Sequence, residues 1–131
     1  MLDEIEILKD AYESEYKELK EALRVRNELR RTLCKSVEQR YEQLQKQLPK
    51  DYKFDTYING WRIFISSDKI FYGDYEQFDE MPIDSLIILY DEYDGIVERI
   101  IEDLKARITQ FRIQRRRVRK NIVTIRKIIG E

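Results

Sequence analysis

From Asp3 to Leu48 the chain contains neither glycine nor proline, and Glu, Lys, Leu, Arg and Gln dominate the segment. These side chains lose little rotamer freedom in a helix, so a run of this length reads as one long α-helix. Apolar residues recur at Ile5, Leu8, Tyr12, Tyr16, Leu19 and Leu23, and again at Leu33, Val37, Tyr41, Leu44 and Leu48. Steps of three and four collect them on one face. Several intervals, Ile5 to Tyr16, Leu8 to Leu19 and Leu33 to Leu44 among them, sum to eleven rather than seven. That spacing favours a nearly straight helix over a tightly supercoiled one. Pro49 disfavours helical backbone at Leu48 and ends the segment.

A second helical segment opens at Pro82, which suits a first turn, with Asp84 near the positive end of the helix. It runs to Ile129, and Gly130 is a natural C-terminal cap. Its heptads are regular: Tyr90, Val97, Leu104, Phe111, Val118 and Ile125 recur every seven residues, beside a track of Ile101, Ile108, Ile122 and Ile129. Gly95 interrupts this pattern at an outward position and is expected to mark a bend.

Between the two helices lies a strand-like island bounded by Pro49 and Pro82, the only prolines. Asn59-Gly60 between alternating apolar residues is a two-residue hairpin signal, because a type I′ turn needs positive φ at both central positions. Pairing outward from it sets Ile58 opposite Trp61, Thr56 opposite Ile63 and Phe54 opposite Ile65. A second turn at Ser67-Asp68 sets Ile65 against Ile70 and Ile63 against Tyr72. Both turns make the same face apolar, so a three-stranded meander is self-consistent.

The expected fold is therefore α+β and mainly α: a long, coiled-coil-like antiparallel helical hairpin with a small three-stranded antiparallel β-meander at the bend. It forms one elongated domain, with a helix over 3–48, the meander over 52–73 and a helix over 83–129. Each arm spans about 46 residues, or roughly 65 to 70 Å. Charged residues make up 39% of the chain, and the net charge of −1 conceals alternating blocks. Residues 1–20 hold seven acids and three bases, 21–50 four and eight, 51–104 fourteen and four, and 105–131 one and ten. In an antiparallel hairpin these blocks interlock.

Two apolar tracks on the second helix, with Ile96, Ile113 and Val123 further round, exceed the seam of a two-stranded coiled coil. A homodimer or higher oligomer is expected, with Tyr90, Val97, Ile101, Leu104, Ile108, Phe111, Val118, Ile122 and Ile125 at its interface. The meander offers Trp61, Phe64, Phe71 and Tyr72 to a protein partner, or uses them to cap the helices. Its outer strand also has an open edge for strand addition.

A basic stripe of Lys105, Arg112, Arg119 and Arg126 recurs every seven residues on the outward side of the second helix. Arg116, Lys120 and Lys127 adjoin it, and together they suit a nucleic-acid backbone. The plainer account is a solvated face balanced by Asp3, Glu4, Glu6, Asp10, Glu13 and Glu15, with Arg107 and Arg115 forming ion pairs nearer the seam. The acidic run Asp91, Glu92, Asp94, Glu98, Glu102 and Asp103 spreads over several helical faces, which argues for a structural role over a Mg²⁺ site or a mimic of phosphates.

The chain has no histidine and one cysteine. Histidine-based triads and metal sites, intrachain disulfides and multi-cysteine zinc sites are therefore excluded. Cys34 is expected as a core thiol. No catalytic pattern and no cofactor signal emerge, and no apolar run is long enough to span a membrane. The expectation is a cytoplasmic, non-enzymatic oligomer acting as adaptor, scaffold or inhibitor of a protein partner, with nucleic-acid binding as the alternative.

The order long helix, short β-meander, long helix resembles in outline the subunits of prefoldin-type chaperones. That resemblance implies hairpins assembled into a barrel and helix tips that hold unfolded clients. Leu2, Ile5, Ile7 and Leu8 with Ile125, Ile128 and Ile129 would serve as such tips.

Overall fold

A computed structural model describes all residues, Met1–Glu131. The chain is mainly helical, in the order α1 (Leu2–Gln47), β1 (Lys53–Ile58), β2 (Trp61–Ser66), β3 (Ile70–Tyr72), a 3₁₀ turn (Phe78–Glu80), α2 (Ile83–Asp91) and α3 (Tyr93–Ile129). It divides into two compact units, Met1–Tyr90 and Asp91–Glu131. No helix is long and apolar enough to cross a membrane.

In the first unit, α1 stops where Pro49 requires it to, with Leu48 already extended at φ −78° and ψ 142°. Asn59 (φ 51°) and Gly60 (φ 80°) form the left-handed pair of a type I′ turn. The three strands lie in sequence order and are antiparallel. Their register is the predicted one at every pair: Ile58 faces Trp61, Thr56 faces Ile63, Phe54 faces Ile65, Ile65 faces Ile70 and Ile63 faces Tyr72. The second turn is held by Ser66, whose N–H donates to the Lys69 carbonyl at 2.8 Å and whose hydroxyl donates to the Asp68 carboxylate at 2.8 Å.

Alternation along the strands sends Phe54, Ile58, Ile63, Ile65 and Tyr72 to one face, and all five are buried. The same core takes Cys34, Val37, Tyr41, Leu44 and Leu48 from the end of α1, with Phe78, Met81, Leu86 and Leu89. Polar contacts fix the pieces. The Tyr41 hydroxyl donates to the Leu89 carbonyl at 2.7 Å, Gln45 Nε2 to the Ser66 carbonyl at 3.1 Å, and the Tyr72 hydroxyl to the Ile58 carbonyl at 2.9 Å. Arg30 Nη2 donates to the carbonyls of Asp79 (2.8 Å) and Met81 (2.6 Å), satisfying two backbone acceptors in the connection to α2. All of this engages α1 only from Arg30 onward. Residues 1–29 are exposed throughout.

The second helical arm is not continuous. It is interrupted at Glu92 (φ −89°, ψ −2°), three residues before the bend expected at Gly95, which stays helical. Asp91-Glu92-Tyr93-Asp94-Gly95 supplies the reason: Asp, Tyr and Gly are all weak helix formers, and three acids crowd one turn. In the second unit Ile96 and Ile100 are buried, and every residue from Arg112 to Glu131 is exposed. Gly130 caps α3 in the left-handed conformation (φ 81°), and Glu131 N–H donates to the Arg126 carbonyl at 2.8 Å.

Candidate interaction surface

Strand alternation decides which meander aromatics reach solvent. Trp61, Phe64, Phe71 and Tyr72 do not form one surface, because Phe64 and Phe71 point away from the core whereas Trp61 and Tyr72 share its side. Tyr72 is 1% exposed and belongs to the core, which removes it from any partner surface. Trp61, at the end of its strand, is 47% exposed. Its ring lies on Gly73, where an added Cβ would come within 2.1 Å of Trp61 Cε3.

The outer face carries Asp55, Tyr57, Arg62, Phe64 and Phe71. Phe64 and Phe71 stack with centroids 5.2 Å apart and planes 8° from parallel. The Arg62 guanidinium and Lys69 ammonium lie 5.2 and 5.6 Å from the Phe71 ring. Arg62 also makes a two-pronged bond to Asp55, Nε to Oδ1 at 2.8 Å and Nη2 to Oδ2 at 2.6 Å. That bond holds the Asp55 carboxyl below its ordinary range and raises the guanidinium. Arg62 is thereby fixed over the aromatic pair, covering apolar area that the strand would otherwise leave open to water.

The larger exposed apolar surfaces are on the helices. Along α1, Leu2, Ile5, Leu8, Tyr12, Tyr16 and Leu19 are all more than half exposed. Further along, Glu18, Glu21, Ala22, Val25, Arg26, Leu29 and Ile83 line an open apolar groove of about 580 Å³. On α3, Ile101, Ile108, Phe111, Val118, Ile122 and Ile125 are exposed, Phe111 at 63%, whereas Val97 and Leu104 are half-buried. Tyr90 lies in the first unit under the Arg40 guanidinium, 4.4 Å from its ring centroid.

Lys105, Arg112, Arg116, Arg119, Lys120, Arg126 and Lys127 are all exposed. Lys105 pairs with Glu102 (3.4 Å), and Arg107, as expected, with Asp103 (3.0 Å). From Arg112 to Lys127, Arg115 included, no basic side chain makes an ion pair within its own unit. Two members of the acidic run are thus committed to neighbours on the same helix.

An acidic cleft in the first unit has no counterpart among the sequence motifs. Glu38, Glu42, Glu76 and Asp79, with Gln45, Ile70, Gln77 and Phe78, line a space of about 340 Å³. Only the i,i+4 spacing of Glu38 and Glu42 signals it, since the other two acids arrive through the chain turn after β3. Burial, then repulsion from and hydrogen bonding with Glu42, then Asp79, raise the Glu38 carboxyl above its ordinary range. A raised carboxyl favours the protonated native state, so its destabilising effect grows as pH climbs above the ordinary carboxylate range. Glu38→Gln is expected to raise Tm at pH 7 by up to about 2 °C. The gain should vanish near pH 4, where Glu38 is protonated anyway; scanning calorimetry at both pH values checks this. These acids do not converge on a point that would hold a metal ion. Cys34 is a buried free thiol, raised by burial and then by Glu38. No family model, curated protein or solved structure matches this chain.

Proposed function

We propose that the chain is a non-enzymatic, self-associating helical interaction module, which presents preformed surfaces to a protein partner as an adaptor, scaffold or inhibitor. The observation that carries this reading is the pair of long apolar stripes left in water: Ile5, Leu8, Tyr12, Tyr16 and Leu19 on α1, and Ile108, Phe111, Val118, Ile122 and Ile125 on α3. Each such side chain gains about 1.5–3 kcal/mol on full burial, and soluble monomers seldom expose contiguous apolar area on this scale. The setting we propose is cytoplasmic, because a single unpaired, buried cysteine suits a reducing compartment.

A second reading is nucleic-acid binding by α3, favoured by the exposed bases Arg112, Arg116, Arg119, Lys120, Arg126 and Lys127, none of which makes an ion pair within its own unit. One measurement separates the two. Light scattering on the protein eluting from a sizing column at micromolar concentration, with and without nuclease, is expected to give at least twice the chain mass of 16.1 kDa in both cases. A single-chain mass defeats the self-associating module. A nuclease-sensitive mass with excess absorbance at 260 nm favours nucleic acid.

A further inference from the structure

We propose that the acidic N-terminal stretch of α1 in one copy seats antiparallel on the basic stretch of α3 in a second copy, and reciprocally, so that two copies close a dimer. This rests on the self-associating reading above and names the surfaces that carry it.

Four observations converge. The wholly exposed part of α1, residues 2–29, spans about 42 Å, and the wholly exposed part of α3, residues 108–129, spans about 33 Å, enough to seat two charged stretches of 19 residues each. Each bears an exposed apolar stripe. Their charges are opposite, since residues 2–20 hold seven acids and three bases and residues 111–129 hold eight bases and no acid. The fourth observation is the most selective: within each unit, the helix ion pairs fall outside these two stretches. Arg24 pairs with Glu21 and Glu28, Lys105 with Glu102 and Arg107 with Asp103, whereas no ion pair forms among residues 2–20 or 111–129. The self-neutralised stretches are 21–29 and 101–110, each with two acids and two bases.

Antiparallel pairing sets the unpaired acids against the unpaired bases and one neutral stretch against the other. Parallel pairing sets acids against a stretch whose charges are already used. The basic residues are placed for this, because Arg112 and Arg126 each follow a seam residue by one turn, Ile108 and Ile122, and so border the apolar track. Glu6 and Glu13 repeat at the spacing of Arg119 and Arg126. Each copy carries both halves of the match, so a second copy satisfies both at once, as closed two-fold assembly requires.

The test is a charge swap between two variants of the full chain. One carries Arg112→Glu, Arg119→Glu and Arg126→Glu; the other carries Glu6→Lys, Glu13→Lys and Glu15→Lys. Alone, each variant sets like charges together at the Glu6–Arg126 and Glu13–Arg119 pairings of both contacts, and self-association should weaken about a hundredfold. Mixed, the two restore opposite charges at those pairings, and a mixed dimer should form at the wild-type midpoint, read by native mass spectrometry of differently tagged chains. A mixture of folded variants that forms no mixed dimer overturns the proposal. Cysteine trapping in a Cys34→Ser background decides the matter if either charge variant fails to fold: Tyr12→Cys and Val118→Cys chains should cross-link when mixed but not singly. A cross-link formed only when both cysteines sit in one chain overturns the proposal in favour of pairing within the chain. A wild-type dimer whose mass survives while neither test succeeds leaves the self-associating reading standing and this one overturned; a wild-type monomer ends both.

Discussion

Tyr41→Ala is expected to cost about 3–5 kcal/mol, enough to unfold much of the first unit at ambient temperature. The side chain is fully buried and its ring lies 6.0 Å from that of Phe78. Its hydroxyl satisfies the Leu89 carbonyl, so truncation both opens a cavity and orphans a buried acceptor. Tyr41→Phe separates the two effects. It keeps the ring and removes only the bond, for an expected loss of about 1–2 kcal/mol. Urea unfolding followed by circular dichroism gives both values. Equal costs for the two variants would mean that the hydroxyl, and not the ring, ties α1 to α2.

Gly73→Ala is the second large effect, at about 2–4 kcal/mol, and it has its own spectroscopic reporter. Gly73 has φ 58°, and its N–H donates to the Arg62 carbonyl at 2.8 Å, so its backbone is held in a region that side chains disfavour. A Cβ there would also overlap the Trp61 ring. The backbone is pinned and Trp61 is half-exposed, so the indole must give way toward water. Trp61 is the only tryptophan, and its emission should shift to the red while the protein is still folded. An unshifted spectrum with unchanged stability would show that the loop, rather than the indole, yields.

Most of the meander is legible in the sequence because short-range rules govern it. Asn59-Gly60 admits one tight turn, and period-two alternation admits one register that keeps Phe54, Ile63 and Ile65 on the same face. The end of α1 is equally legible from Pro49, and that of α3 from Gly130. The interruption falls at Glu92 rather than at the expected Gly95 because several weak helix formers act together, and no single residue marks where the helix yields. The candidate surface is legible only in part. Heptad spacing names Ile108, Phe111, Val118 and Ile122, but the aromatic set mixes the two faces of the sheet, and Tyr72 is core.

Helices, strand register and the segregation of charge all follow from the conformational preferences and spacing of residues near one another in the chain, so the amino-acid order is enough to specify them. Packing settles which of these features are already consumed. Arg30 meets the carbonyls of Asp79 and Met81, Tyr41 meets Leu89, and Arg62 shields Phe71. The Arg30 and Tyr41 contacts join residues nearly fifty positions apart, a separation over which local preference carries no information. What the core leaves unused, the first 29 residues and the basic end of α3, is the surface on which the proposed associations depend.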